Sequence, residues 1–160
     1  FKRTLEDFYQ QHKRTLPWRI AEKDDQFSLY KISVSEVMLQ QTQVDRVIPK
    51  YNAFLQAFPD ITSLANAPFS DVIGLWVGLG YNRRAKYLRD WAKSCARYGI
   101  PSSGQELTVY KGFGINTASA VFVYTYNQPL VFIETNIRTV FYITFLKTEM
   151  KSRIMRLESY

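Results

Sequence analysis

The stretch Val34-Ser35-Glu36-Val37-Met38-Leu39-Gln40-Gln41-Thr42-Gln43-Val44 sets a lone carboxylate among apolar residues and follows it with four consecutive amide or hydroxyl side chains. Such neighbours imply that Glu36 is at least partly desolvated. Burial moves a carboxylic acid toward the range in which it donates a proton near neutral pH, as a general acid must. The residues alone leave a second reading open, with Glu36 on a solvent-facing helix and the Gln run its polar surface, because charged side chains usually stay exposed.

Downstream, Val44, Val47, Ile48, Tyr51, Phe54, Leu55 and Phe58 recur at three- and four-residue steps, which predicts a helix over 43–58 with one apolar face. Pro49 inside it predicts a kink or a local start. Leu5, Phe8, Tyr9 and His12 repeat the pattern upstream, as do Leu88, Trp91, Ala92 and Cys95 further along, and both sets are expected in the core. Ser70-Asp71 reads as a helix start, with Gly78 and Gly80 marking the end. Two more helices are expected over 117–126 and 137–145, the second opening at Asn136, and Pro129–Ile133 between them is suited to an extended segment. Near Ser102-Ser103-Gly104 the chain is more loop-like than a compact helical fold needs. No recurrent βα alternation or hairpin series appears, so the expected fold class is all-α.

The 160 residues carry 21 Lys plus Arg against 14 Asp plus Glu, a formal charge of +7. This favours a polyanionic partner, either nucleic acid or an acidic membrane surface. That length suits one compact domain or two small lobes, and the 46% hydrophobic content is enough to fill a core. One cysteine excludes an intramolecular disulfide and a Cys₄ metal site within these residues. No metal-ligand spacing involves His12 or Cys95. No apolar run approaches 18 residues and the opening lacks the apolar segment of a secretory signal, so an intracellular protein that does not span a membrane is expected.

Three further constellations could carry chemistry. Gly112-Phe113-Gly114-Ile115-Asn116-Thr117-Ala118 places two glycines in a turn before a helical pattern, where backbone amides attract phosphate. A plain interhelical turn reads equally well. A dinucleotide fingerprint is rejected, because Thr117 replaces its third Gly and the surroundings are helical. Glu134, in Ile133-Glu134-Thr135-Asn136-Ile137-Arg138, sits at the start of a helix, a position that favours an anion with or without a catalytic role. Gly78-Leu79-Gly80-Tyr81-Asn82-Arg83-Arg84-Ala85-Lys86 joins an aromatic, able to wedge between bases, to cations that neutralise phosphates. A solvated basic helix face is its alternative.

Taken in order, Leu16-Pro17-Trp18-Arg19, Val34 to Val44, Gly78 to Arg84, Lys111 to Ala118 and Glu134 to Val140 resemble the helix-hairpin-helix DNA glycosylase superfamily, and most of all its MutY-type adenine DNA glycosylases. The resemblance runs from about Leu5 to about Leu146. It implies an all-helical, two-lobed fold with the active site between lobes. Residues 1–28 would form an N-terminal helix and strap of the second lobe. Residues 29–134 would form a six-helix lobe with the helix-hairpin-helix near 107–126, and 135–160 would return to the second lobe without an iron-sulfur segment. The implied activity is hydrolysis of the N-glycosidic bond of an adenine flipped out opposite guanine or 8-oxoguanine in double-stranded DNA, by a monomer.

The resemblance also implies roles residue by residue. Glu36 matches the residue that protonates the base, Glu134 falls where the family has the Asp that stabilises the sugar cation, and Asn136 matches an Asn assisting there. Trp18 and Arg19 match the lining of the base pocket. Gln40, Gln41, Thr42 and Gln43 match a loop that enters DNA, and Tyr81 matches an intercalating aromatic. Arg83 and Arg84 are expected on the DNA backbone, as are Lys111, Gly112 and Gly114 of the hairpin, which often holds a monovalent cation in the family. Asn116 stands where bifunctional relatives carry a Lys nucleophile, which implies a glycosylase without lyase activity; no required cofactor is expected. Glu in place of Asp at 134 shifts the carboxylate by about 1.5 Å, and a misplacement of about 1 Å can cost about 10²-fold in rate. Excision of uracil or thymine from mismatches by the same scaffold, and a mismatch-binding module without catalysis, are the two alternatives.

Overall fold

The computed structural model describes residues 2–21 and 27–146. The helices are α1 (Lys2–His12), α2 (Leu29–Leu39), α3 (Val44–Ala57), α4 (Ile61–Asn66), α5 (Phe69–Trp76), α6 (Arg83–Tyr98), α7 (Gly104–Leu107), α8 (Ile115–Tyr126) and α9 (Thr135–Phe141). A 3₁₀ turn covers Pro17–Arg19, and a π-helical turn, Tyr142–Leu146, continues α9. No strand occurs among the described residues, so the all-α expectation holds, and the stretch 127–134 is irregular. The chain divides into two compact units, Phe1–Pro129 and Leu130–Tyr160.

In the first unit α2 is the central helix. Leu29, Tyr30, Ile32, Ser33, Val34, Ser35, Val37 and Met38 are all buried, which leaves no broad polar face. A helix apolar on nearly every side must be surrounded, and α3, α6, α8 and the 3₁₀ turn pack against it. The stripe of α3 is buried through Val47, Tyr51 and Phe54, and Phe58 closes it. Aromatic rings fill the space behind, with Phe54 edge-on to both Phe58 and Trp76 at centroid distances of 5.0 and 5.9 Å. On α6 the face Leu88, Trp91, Ala92 and Cys95 is buried as its spacing predicts.

Several local expectations are corrected. Helix α3 starts at Val44 and runs on past Pro49, so no helix begins at the proline. Helix α5 opens one residue before Ser70. Pro68, with φ already near the helical value, takes the cap position, and its carbonyl accepts from the amides of Asp71 and Val72. The Ser102 loop is the cap of α7: Ser103 Oγ accepts from the Glu106 amide at 3.2 Å, while the Glu106 carboxylate accepts from Ser102 N and Oγ at 2.9 Å each. These donors hold Glu106 below the usual carboxylate range. Helix α9 opens at Thr135 with Glu134 in the cap position, not at Asn136.

The core placement of the α1 stripe is wrong. Leu5, Phe8 and Tyr9 are 58%, 58% and 51% exposed, and His12 is exposed as well. His12 folds back on its own helix, stacking on Phe8 at 4.0 Å and donating from Nδ1 to the Phe8 carbonyl at 2.9 Å. Periodicity identifies which face of a helix is apolar but does not supply a neighbour to cover it.

Cys95 does lie in the core, and burial pushes its thiol up to about 11. Iodoacetamide at pH 8 should therefore modify the native protein at least about 100-fold more slowly than the urea-unfolded chain. Equal rates would place the thiol at the surface.

Candidate nucleic-acid interface and catalytic carboxylates

Three loops of the first unit carry half of the residues singled out by the sequence: α2–α3 (40–43), α5–α6 (77–82) and the hairpin between α7 and α8 (108–114). Side chains tie them together. Gln40 Nε2 donates to the Gly112 carbonyl at 2.8 Å and to Thr117 Oγ1 at 3.1 Å, fixing the first loop to the hairpin. Arg46, at the start of α3, donates to the Gly78 carbonyl.

Arg84 joins the first loop to the second. It is 6% exposed. Nη1 donates to the carbonyls of Val37 (2.8 Å), Met38 (3.0 Å) and Gln40, and Nη2 donates to Thr42 Oγ1 (3.0 Å), Leu79 O (3.2 Å) and Gly80 O (3.0 Å). Its guanidinium carbon lies 5.7 Å from the Trp76 ring centroid and 5.6 Å from that of Tyr81. Desolvation draws its pKa down and Tyr81 opposes the shift; an arginine remains charged at physiological pH all the same. The expectation that Arg84 meets the DNA backbone is thus corrected, because its charge is spent on internal carbonyls. A signal for this was present: Arg84 is in phase with Leu88, Trp91 and Cys95, the core stripe of α6, whereas Arg83 is one residue out of phase and exposed.

Two members of the polar loop, Gln40 and Thr42, are likewise half-buried and turn polar atoms inward. Gln40 holds the hairpin, and the Thr42 hydroxyl accepts from Arg84 while directing its own hydrogen toward Leu79 O at 3.2 Å. Gln41 and Gln43 remain exposed. Tyr81 is 64% exposed at the tip of its loop. Gln41 and Tyr81 share a further trait, with φ of +54° and +48°. Non-glycine residues rarely adopt that region, and it carries strain of order 1 kcal/mol or more.

In the hairpin, Gly112 has φ +93° and a Cβ there would lie 3.1 Å from Tyr87 Cβ, so glycine is required twice over. Gly114 caps α8, its carbonyl accepting from the Ala118 amide at 2.9 Å. The amides of Ile115, Asn116 and Thr117 then open the helix without intrahelical partners, beside exposed Lys111 and Asn116. Amides and a cation so placed suit an anion.

Of the carboxylates, Glu36 is half-buried on α2 between the fully buried Ser35 and Val37. Trp18 is 5% exposed, edge-on to Tyr51 at 5.3 Å, and forms a wall of a cavity of about 290 Å³ with Phe27, Lys31 and Leu55, while Arg19 is exposed. In the second unit Glu134 and Asn136 are exposed at the first turn of α9, where the Glu134 carbonyl accepts from the Arg138 amide at 3.0 Å. Among the described residues no three His, Cys, Asp or Glu side chains cluster as metal ligands would, and no helix is long and apolar enough to cross a membrane.

Residues 34–158 match the family model for the HhH-GPD superfamily base excision DNA repair protein. The chain is 37% identical over 144 residues to an adenine DNA glycosylase of Buchnera aphidicola, covering 88% of this chain and 40% of that protein. It is 35% identical over 144 residues to the adenine DNA glycosylase of Rattus norvegicus, covering 86% of this chain and 28% of that one. The chain therefore spans less than half the length of these curated relatives. In fold it is similar to a thermostable thymine-DNA glycosylase, with a TM-score of 0.75 at 22% identity over 86% of this chain and 64% of that one. With its motifs in family order on an all-helical frame that contains a helix-hairpin-helix, the chain belongs to the HhH-GPD superfamily of base excision DNA repair proteins.

Proposed function

We propose that the chain is the base-excising part of an adenine DNA glycosylase that acts, as a monomer, on adenine opposite guanine or 8-oxoguanine in double-stranded DNA inside the cell. The observation that carries this reading is the 37% identity over 144 residues to a protein of that activity. The exposed Tyr81, Gln41 and Gln43 beside a phosphate-suited hairpin support it.

Adenine leaves its sugar readily only when protonated, and cleavage leaves positive charge on the deoxyribose. Glu36, half-buried among apolar neighbours, is the acid that supplies the proton to the base. The C–N electron pair departs with the base, and Glu134 stabilises the oxocarbenium-like sugar until water adds to C1′ and gives up a proton. Asn136 assists there. Asn116, on the exposed first turn of α8, offers no amine, so the product is an abasic site without strand cleavage by a Schiff base. Tyr81 wedges into the stack while Gln41 and Gln43 enter beside the extruded nucleotide. Arg83, Lys111 and the α8 amides hold the backbone. A monovalent cation at the hairpin would draw on carbonyl oxygens there, where the Gly112 carbonyl already accepts from Gln40; no other cofactor is needed.

Single-turnover assays on duplexes with A:8-oxoguanine, A:G, T:G and U:G, followed by alkali, test the reading. Adenine release should fall by about 10²-fold or more in Glu36→Gln and in Glu134→Gln, with duplex affinity nearly unchanged. Release confined to pyrimidines would replace adenine by uracil or thymine as the target, and mismatch binding with no product would leave only a binding module.

Arg83→Ala and Lys111→Ala should each reduce the slope of log affinity against log salt concentration by about 0.9, the value for one phosphate contact. An unchanged slope in both would remove these cations from the backbone.

Gly112→Ala should destabilise the fold by about 1 to 3 kcal/mol, because alanine is strained at that φ and its methyl meets Tyr87. A thermal midpoint equal to the wild type would show that the hairpin relaxes at no cost.

A further inference from the structure

The two strained exposed residues, Gln41 and Tyr81, are each preceded by a carbonyl that accepts from Arg84: Gln40 O from Nη1 and Gly80 O from Nη2. Rotation about φ of a residue turns the preceding peptide plane, so holding the carbonyl of Gln40 restrains φ of Gln41, and holding that of Gly80 restrains φ of Tyr81. One planar guanidinium thereby fixes both. The grip is reinforced at each end, through Val37 and Met38 on the α2 side and Leu79 on the other, with Thr42 accepting between them. Asn127, the third non-glycine residue with positive φ among the described residues, needs no such device, since asparagine tolerates that region and ends α8 there.

We propose that Arg84 is a positioning residue that presets Gln41 and Tyr81 for insertion into a duplex, coupling the two loops so that both side chains are presented together, and that it neutralises no phosphate. The proposal rests on the DNA-binding reading above and concerns how insertion is prepared. A lysine in its place has one ammonium instead of a two-armed fork and cannot span both carbonyls with matched geometry. Without the clamp each residue relaxes out of the strained region, and binding must then supply the energy to restore it.

Two measurements test this, one with DNA and one without. On duplexes carrying 2-aminopurine opposite guanine, bound Arg84→Lys and Arg84→Gln should unstack the probe about tenfold less than the wild type, approaching Tyr81→Ala. Their salt slopes should equal the wild-type slope, while that of Arg83→Ala falls by about 0.9. Wild-type unstacking in both Arg84 variants, or a slope reduced in Arg84→Gln as in Arg83→Ala, would overturn the proposal. Without DNA, Gln41→Gly should raise the thermal midpoint in the wild type, where the backbone is held at positive φ, and lose that gain in Arg84→Lys, where it is released. The same shift in both backgrounds would overturn the clamp. Should the Arg84 variants fail to fold, Thr42→Val removes one acceptor of the fork and no charge. It should weaken unstacking in the same direction, and wild-type behaviour there would also count against the clamp. Unstacking requires no bond cleavage, so a protein that unstacks as described yet releases no base defeats the glycosylase reading alone. One that binds no duplex defeats the DNA role while the thermal cycle still decides the clamp.

Discussion

A helix buried on nearly every face must end inside the protein, and its last carbonyls must find donors there. That constraint shapes the first unit. Helix α2 has almost no polar surface, and at its C-terminus the carbonyls of Val37 and Met38 have no intrahelical partners. Many helices meet this need with a glycine turn and water. Here a buried cation from α6 does so, placed where the negative end of the helix dipole favours it. An unpaired buried charge would cost several kcal/mol; six carbonyl and hydroxyl contacts and two aromatic faces offset that cost. Because the loops after α2 and α5 both supply partners, neither can move independently of Arg84.

The arrangement separates two uses of positive charge that look alike in a list of residues. Arg83 and Lys111 are exposed and available to an anion, whereas Arg84 is interior and works by geometry. The amide side chains divide in the same way. Gln40 bridges to the hairpin and Thr42 to the clamp, which leaves Gln41 and Gln43 as the outward pair. The segment 40–43 thus combines inward supports with outward side chains, and its internal hydrogen bonds order the loop in advance, which lowers the ordering cost of any binding.

Glu36 fits the same frame. It projects from the most buried helix of the fold, so its surroundings are fixed by packing. Glu134 belongs to the second unit, at the cap position of α9. The half-buried Glu36 and the exposed Glu134 at a helix start thus sit in different environments.

Much of this was legible from spacing. The stripes of α3 and α6 were readable because a soluble helix usually buries its apolar face, and Gly112 because few other residues accept its φ of +93°, whereas Gly114 has an ordinary φ of −66°. The α1 stripe was misread for the complementary reason: periodicity defines a face and not its neighbour. Arg84 was misread because charge suggested the surface, although its phase with Leu88 and Trp91 already placed it on the core side of α6. The all-helical class, the order of the motifs, the absence of a Lys at 116 and the presence of glutamates at 36 and 134 were decided by sequence alone, since each is local or is a matter of which residue stands where. Which polar side chains turn inward was decided by the tertiary structure. The acceptors of Arg84 and Gln40 lie 44 to 77 residues away in the chain for every long-range bond from Gln40 and every bond from Arg84 to the α2 end. Partners that distant meet only when packing brings their backbones together.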